Sequence, residues 1–327
     1  MPENDQKITV AIIQDTPVFL NLDRSVEKAC ALIGQAAKRG AQLIAFPETW
    51  LPGYPVWLDF APGAGLWDHP PAKAIFTILF ENSVTLSGPH VQKLAKATKA
   101  AKSVVVMGAH ERLGCTLYNT MLYFSASGDL AAIHRKLIPT YTERLLWGRG
   151  DGSTLAVVDT DIGRVGGLIC WEHWMPLART AMHAKQELLH VAQWPMVKEM
   201  NLVASRHYAF EGRCFVLAAG CVLRRGELFD GLPQNSKTAS LARQLLNEIP
   251  GKDEDLILRG GSTIFAPDGV CLAGPLHDEV GILCATISPE QVTEGKMALD
   301  VSGHYTRPDV FQLHVNEQLL VDVSFKK

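Results

Sequence analysis

The sequence predicts a layered α/β protein, and three observations lead there. Short runs rich in Val, Ile and Leu recur along the chain, the composition of strands buried on both faces. Longer segments with apolar residues at helical spacing alternate with them, as expected when helices cover sheets. The candidate strands are also too many for one small sheet. Two sheets packed face to face with helices outside would bury them, although periodicity alone does not separate this from two successive domains.

Residues 8–14, ITVAIIQ, read as a buried strand. Asn21 or Asp23 then caps a helix whose apolar positions Val26, Ala29, Cys30 and Ile33 share one face, and Gly40 ends it. Strands follow at 42–46 and 103–110, the second after a Lys-rich helix over 89–102. Residues 115–126 and 130–137 read as a strand pair, because Ser127-Gly128-Asp129 between them has the composition of a hairpin turn. The sheet is therefore expected to be mixed rather than purely parallel. Further strands are expected at 154–159, 164–170, 188–193, 214–223, 262–266 and 280–287, with helices near 176–187 and 197–212. Residues 50–72 and 224–260 read as long loops. The first joins aromatic residues to repeated Pro and Gly and is a candidate pocket wall; the second is polar and reads as a partly mobile lid or subunit contact.

Composition removes several function classes. With 327 residues, 47% of them hydrophobic, the chain buries a sizeable core. Its 31 basic and 34 acidic residues give a net charge of -3 with no dense basic block, so no nucleic-acid partner is expected. The opening MPENDQKITVAII lacks the basic-then-apolar layout of a secretory signal, and no run reaches the roughly 18 apolar residues of a spanning helix. A soluble cytoplasmic protein, without membrane attachment, is expected. Seven scattered cysteines without a Cys-x-x-Cys pair agree with a reducing compartment.

Four polar residues stand at or just beyond the carboxyl ends of expected strands, where ligand sites of layered α/β proteins gather. Cys170 follows VGGLI, where a thiol faces a cleft or simply packs as a small hydrophobe. A nucleophilic thiol needs a base, yet His173 is poorly placed to be one, since strand positions 170 and 173 point to opposite faces. Lys136 and Glu143 follow LAAIHR. Lys136 is flanked by an apolar strand and a Pro-containing turn, which would desolvate an ammonium; the competing reading is a surface charge. Glu48, in the apolar setting FPETW, is a general base whose pKa burial would raise, or else the cap of a following helix.

The segments AFPETWLPGYP, HRKLIPTYTERLLWGRGDG and GGLICWEHWMPLAR resemble, in order and spacing, the three signature regions of the nitrilase superfamily, and specifically its true nitrilase branch. The resemblance runs nearly end to end. VKEMNLVASRHYAFEGRCFVLAAG at 197–220 is similar to the helix and strand that follow the family's cysteine, and GHYTRPDVF at 303–311 to its terminal motif. Carried over residue by residue, it implies Glu48, Lys136 and Cys170 as catalytic residues, with Glu143 as the family's additional glutamate. The pair Cys170-Trp171, followed by Glu172, is more typical of nitrilases than of the related amidases and carbamoylases.

The resemblance also implies the fold, a four-layer α-β-β-α sandwich in a single domain over 1–311, followed by a short tail, 312–327, and a homodimer or larger assembly. The implied activity is hydrolysis of a small nitrile to the carboxylic acid and ammonia through a covalent Cys170 thioimidate and thioester. An amidase or a cyanide hydratase is the rival within the superfamily, and a catalytically silent assembly protein the rival outside it. The aromatic residues favour an aromatic or arylaliphatic nitrile, with Tyr54, Trp57, Trp171, Trp194 and His173 as substrate-binding residues, although each aromatic alone reads equally as core or interface. No cofactor and no metal are expected: His183, His190 and His207 lack ligand spacing, and neither Gly166-Gly167 nor the run around Gly148 completes a phosphate loop.

Overall fold

The chain, described by a computed structural model over residues 7–321 and Val323, forms its elements in the following order. They are β1 (Ile8–Gln14), α1 (Leu22–Lys38), β2 (Leu43–Ala45), α2 (Trp57–Phe60), α3 (Pro70–Glu81), α4 (Pro89–Ala101), β3 (Val104–Leu113), β4 (Thr116–Phe124) and β5 (Leu130–Arg135). Then come β6 (Val157–Thr160), β7 (Gly163–Ile169), α5 (Pro176–Ala184), β8 (Leu189–Gln193), α6 (Glu199–Gly212), β9 (Phe215–Ala219) and β10 (Val222–Arg224). The chain continues through α7 (Lys237–Asn247), β11 (Leu256–Phe265), β12 (Cys271–His277), β13 (Gly281–Ile287) and α8 (Glu290–Ala298).

Two mixed sheets result. The first runs β13-β1-β2-β3-β4-β5, with β1, β2 and β3 parallel and the rest antiparallel. The second runs β10-β11-β9-β8-β7-β6, with β7, β8 and β9 parallel and β12 paired to β11. The apolar runs are continuous because both faces of each sheet are covered. In β1, Ile8, Val10 and Ile12 pack between the sheets, while Ala11 and Ile13 pack under the outer helices. The same division recurs in β3, where Val104 and Val106 face inward and Val105 and Met107 face outward. Helices α1, α3, α4 and α7 cover the first sheet, and α5, α6 and α8 the second. The layers are α-β-β-α, as expected.

Local chemistry explains where the elements begin. The side-chain oxygen of Asn21 accepts the Arg24 N–H at 3.1 Å and caps α1. Pro stands at the first turn of α3, α4 and α5, where a missing N–H costs nothing. The hairpin of β4 and β5 turns at Ser127-Gly128-Asp129, with Gly128 at φ 90.

Both expected loops are corrected. Residues 50–72 contain α2, and α3 starts within them; the proline pair that reads as a breaker is the first turn of a helix burying Ala74, Ile75, Ile78 and Leu79. Residues 224–260 are not one long loop. Ser236 caps α7, which buries Ala239, Ala242, Leu245 and Leu246 against α3, and β11 begins at Leu256. The expected strand 214–223 is broken after Ala219, and β12 leaves no apolar run in the sequence because its residues are mostly exposed. Residues 303–311 form turns on the surface, and the tail lies along the body, with Lys185 paired to Glu317 and the Leu320 N–H donating to Asp151. Asp322 and residues 324–327 of the tail lie outside the described residues.

The α3–α7 contact predicts a cost. Leu246 is fully buried, so Leu246→Ala is expected to lower the unfolding free energy by about 2–5 kcal/mol, read as a shifted urea midpoint with an unchanged slope.

Candidate active site

The site forms where the carboxyl ends of the two sheets are tied together. Gln193, ending β8, donates its side-chain N–H to the Phe46 carbonyl at 2.9 Å, and the Glu48 N–H donates to the Trp194 carbonyl at 3.3 Å. Strand β3 passes hard against this turn at Gly108, where a side-chain carbon would lie 2.1 Å from the Pro47 oxygen; only glycine fits. Glu48 is thereby fixed between the sheets.

A buried ammonium organises the polar groups. Lys136, just past β5, donates to Glu48 Oε1 at 2.9 Å and to Glu143 Oε2 at 2.7 Å. Glu143 also accepts the Thr140 N–H, closing a capping box on the 3₁₀ turn Tyr141–Leu145, and the Tyr54 hydroxyl at 2.9 Å. Asn119 on β4 donates to Glu48 Oε1 at 2.7 Å, while Glu48 Oε2 has no partner among the described residues. The Cys170 sulfur and one oxygen each of Glu48 and Glu143 lie within 4.8 Å of one another. Such a set of donors resembles a cation site, and here the Lys136 ammonium bonds both carboxylates, filling a cation's place among them.

Burial sets the acidities. It raises the Glu48 carboxyl, with Glu143 adding to the rise and Lys136 and Asn119 opposing it, to about 7. Burial pushes the Cys170 thiol well above its ordinary value, and the Glu48 carboxylate pushes it further against the pull of Lys136. For Lys136 burial works toward the neutral form, but Glu48, Cys170 and Glu143 together reverse this and raise its pKa. The resting site holds a neutral thiol, a firm cation and a carboxyl poised near neutrality.

Cys170 opens a 3₁₀ turn, Cys170–Trp174, at φ 54, a left-handed backbone rarely adopted by residues with a side chain. Glu172 holds this turn. Its carboxylate accepts the Ile169 and Leu137 N–H groups at 2.6 and 2.7 Å and contacts His134 Nε2 at 2.9 Å. One buried side chain thus ties the nucleophile's turn to the segment that carries Lys136. Sequence reasoning misses Glu172, His134 and Asn119; the acidic residue two places past the cysteine is the available signal.

A cavity of about 960 Å³ opens beside Cys170. Tyr54, Trp171 and Trp194 line it, with Phe60, Trp174 and Met196. Two expected substrate-binding residues do not line it. Trp57 is packed in the core edge-on to Phe19, because α2 turns it inward, and His173 lies behind Trp194, stacked on it with ring centroids 4.8 Å apart. Trp50 is also a core residue, its indole N–H donated to the Asp15 carbonyl.

Comparisons with known proteins match most of the chain. The carbon-nitrogen hydrolase family model matches residues 9–297. The chain is 38% identical to a nitrilase of Pseudomonas syringae pv. syringae over 325 residues, covering 95% of this chain and 90% of that one. It is 38% identical to an aliphatic nitrilase of Rhodococcus rhodochrous, covering 99% and 87%. The fold is shared with a carbon-nitrogen hydrolase from Helicobacter pylori G27, with a TM-score of 0.67 at 18% identity, covering 93% of this chain and 97% of that one.

Removing the central cation tests the electrostatics. Lys136→Ala leaves two carboxylates buried together, so their folded-state pKa values rise above the unfolded ones, and the stability lost is expected to be about 3–5 kcal/mol at pH 8. A raised carboxyl pKa favours the folded state at low pH, so the penalty is expected to shrink as pH falls toward 5. Urea unfolding of both proteins at the two pH values measures it; an equal penalty at both would contradict the arrangement.

Proposed function

The chain belongs to the carbon–nitrogen hydrolase family, and on that premise we propose that it is a nitrilase, converting a small organic nitrile to the carboxylic acid and ammonia. It is an enzyme of the nitrilase superfamily with a Cys/Glu/Glu cluster, which disfavours a silent scaffold. The observation that carries the reading is the buried Glu48–Lys136–Glu143 array beside Cys170, in which Glu48 keeps one oxygen without a partner among the described residues.

Because burial keeps the thiol protonated, attack requires a base, and Glu48 is the carboxylate with both a free oxygen and a pKa close to neutrality. The thiol proton passes to Glu48 as sulfur bonds to the nitrile carbon, and Glu48 returns it to nitrogen, giving a thioimidate. Water adds next, its proton taken by Glu48. Glu48 passes that proton to the nitrogen, the added hydroxyl gives up its own proton to the same nitrogen, and the tetrahedral centre breaks its C–N bond, releasing ammonia and leaving a thioester with Glu48 again deprotonated. A second water hydrolyses the thioester to the acid and restores the thiol. Lys136 stabilises the charge that develops at each tetrahedral stage, a contribution worth on the order of a hundredfold or more in rate. Glu143, itself held by the Tyr54 hydroxyl, accepts from the ammonium's second side. Breaking the C–S bond at the tetrahedral stage would release an amide instead, so the acid-to-amide ratio is read in the same assay.

The apolar cleft fits an aromatic or arylaliphatic nitrile, which has an apolar ring to place against Tyr54, Trp171 and Trp194. Two copies are read as pairing through α6, where Val203 and Phe210, seven residues apart, are exposed on the side opposite its buried residues. Residues 1–311 are read as the catalytic domain and 312–327 as its tail.

Intact-mass spectrometry with phenylacetonitrile, alongside ammonia release, is expected to give product and a Cys170 adduct, both lost in Cys170→Ala. The readout must be resolved by site, since Cys115 and Cys271 are exposed and meet any thiol reagent first. A panel of aliphatic nitriles and amides separates a wrong substrate from a wrong activity. Glu48 acts only when deprotonated, so kcat/KM is expected to fall as pH drops through about 7, the value of its carboxyl; a profile flat from pH 5 to 8 would remove Glu48 as the base. Light scattering is expected to show a dimer that Phe210→Asp weakens.

A further inference from the structure

His173 takes no part in the reaction above, yet it begins a buried chain of side chains leading away from the nucleophile. Its Nδ1 lies 2.8 Å from the Cys170 carbonyl oxygen and its Nε2 lies 3.0 Å from Nε2 of His190. His190 Nδ1 lies 2.9 Å from Glu187 Oε1, and the Tyr208 hydroxyl donates to Glu187 Oε2 at 2.5 Å. All four side chains are buried. Tyr208 stacks on His190 with centroids 3.7 Å apart, as Trp194 does on His173, so neither ring is free to turn.

Counting protons along this chain fixes it. A carbonyl only accepts, so His173 Nδ1 must carry hydrogen. Burial and the neighbouring His190 hold the His173 pKa well below its ordinary value, so the ring is neutral and its Nε2 is bare. His190 must then donate from Nε2. A carboxylate also only accepts, so the 2.9 Å contact between His190 Nδ1 and Glu187 holds one further proton, on the ring or on the carboxyl, and in either case Nε2 of His190 carries hydrogen.

We propose that Glu187, His190 and His173 form a tautomer lock that positions the Cys170–Trp171 peptide for catalysis. This rests on the hydrolase reading of Cys170. In a trans peptide the C=O and N–H point in opposite directions. Anchoring the Cys170 carbonyl on the His173 side therefore aims the Trp171 N–H away from His173, and as one of the first N–H groups of a 3₁₀ turn it has no acceptor within that turn. The lock holds this donor, together with the left-handed Cys170 backbone, in register with the Lys136 ammonium. His173, His190 and Glu187 touch no substrate; they are positioning residues.

The lock is tested by Glu187→Gln and Glu187→Leu, with ring-nitrogen NMR of histidine-labelled protein. The amide introduced by Glu187→Gln still accepts from Tyr208 and donates to His190 Nδ1, which keeps His190 donating from Nε2. The aliphatic side chain of Glu187→Leu leaves the His190 tautomer unforced. The parent is expected to show His173 protonated at Nδ1 and bare at Nε2, and Glu187→Gln to retain both that signature and most of kcat. Glu187→Leu is expected to lose the signature and about tenfold to a hundredfold in kcat with KM little changed, on whichever nitrile or amide the parent hydrolyses. His173 bare at Nδ1 in the parent overturns the lock whatever the enzyme's substrate proves to be. So does a folded Glu187→Leu with parental kcat, or a folded Glu187→Gln as impaired as it. If Glu187→Leu does not fold, the parent spectrum and the Glu187→Gln kinetics still decide. A parent that hydrolyses no nitrile but does hydrolyse amides overturns the nitrilase reading alone.

Discussion

The structure turns on one buried ammonium. Taking Lys136 out of water is costly, and the cost is offset only because two carboxylates close on it at hydrogen-bond distance. Each carboxylate is held in turn: Glu48 by the Asn119 amide and the tie between the sheets, Glu143 by the Thr140 N–H and the Tyr54 hydroxyl. None of these groups is stable in its place without the others. The array therefore depends on the packing of the two sheets, and the Glu48 carboxyl is left with an acidity near neutral pH.

Packing two sheets face to face is what brings these groups together. Glu48 follows a strand of the first sheet and Cys170 one of the second, so their meeting depends on the inter-sheet core of residues such as Ile12, Val106, Met121 and Val191. Groups far apart along the chain are side by side in the fold, and a local disruption of that core reaches the chemistry directly. Glu172 works within the same logic, since its side chain joins the turn of one sheet to a segment of the other.

Much of this is legible in the sequence, for physical reasons that also explain the failures. Strands buried on both faces leave continuous apolar runs, and the residues just past them stand out as polar interruptions, which singles out Glu48, Lys136 and Cys170 as candidates; their roles come from the resemblance of the surrounding motifs, not from the pattern. Helix α7 is not found this way, because a helix with one buried stripe looks polar when its Leu and Ala are spaced among Lys, Arg and Gln. Trp57 and Trp171 are indistinguishable as aromatics; only the local turn decides that one enters the core and the other, more than half exposed, faces the cleft. His173 misleads in a different way. Its nearness to the nucleophile points to contact with substrate, whereas its ring lies behind the cleft wall.

The charge of the array bears on traffic through the cleft. Two carboxyl groups face one lysine beside a neutral thiol, so the centre gains negative charge as Glu48 ionises on passing through about pH 7, and Asp59, Glu199 and Lys198 stand at the rim. An uncharged molecule enters such a place without Coulombic cost. A carboxylate formed inside it does not rest there comfortably, because like charges held close together repel. The same electrostatics that ready the thiol thus give the cleft a direction, admitting neutral molecules and discharging anions.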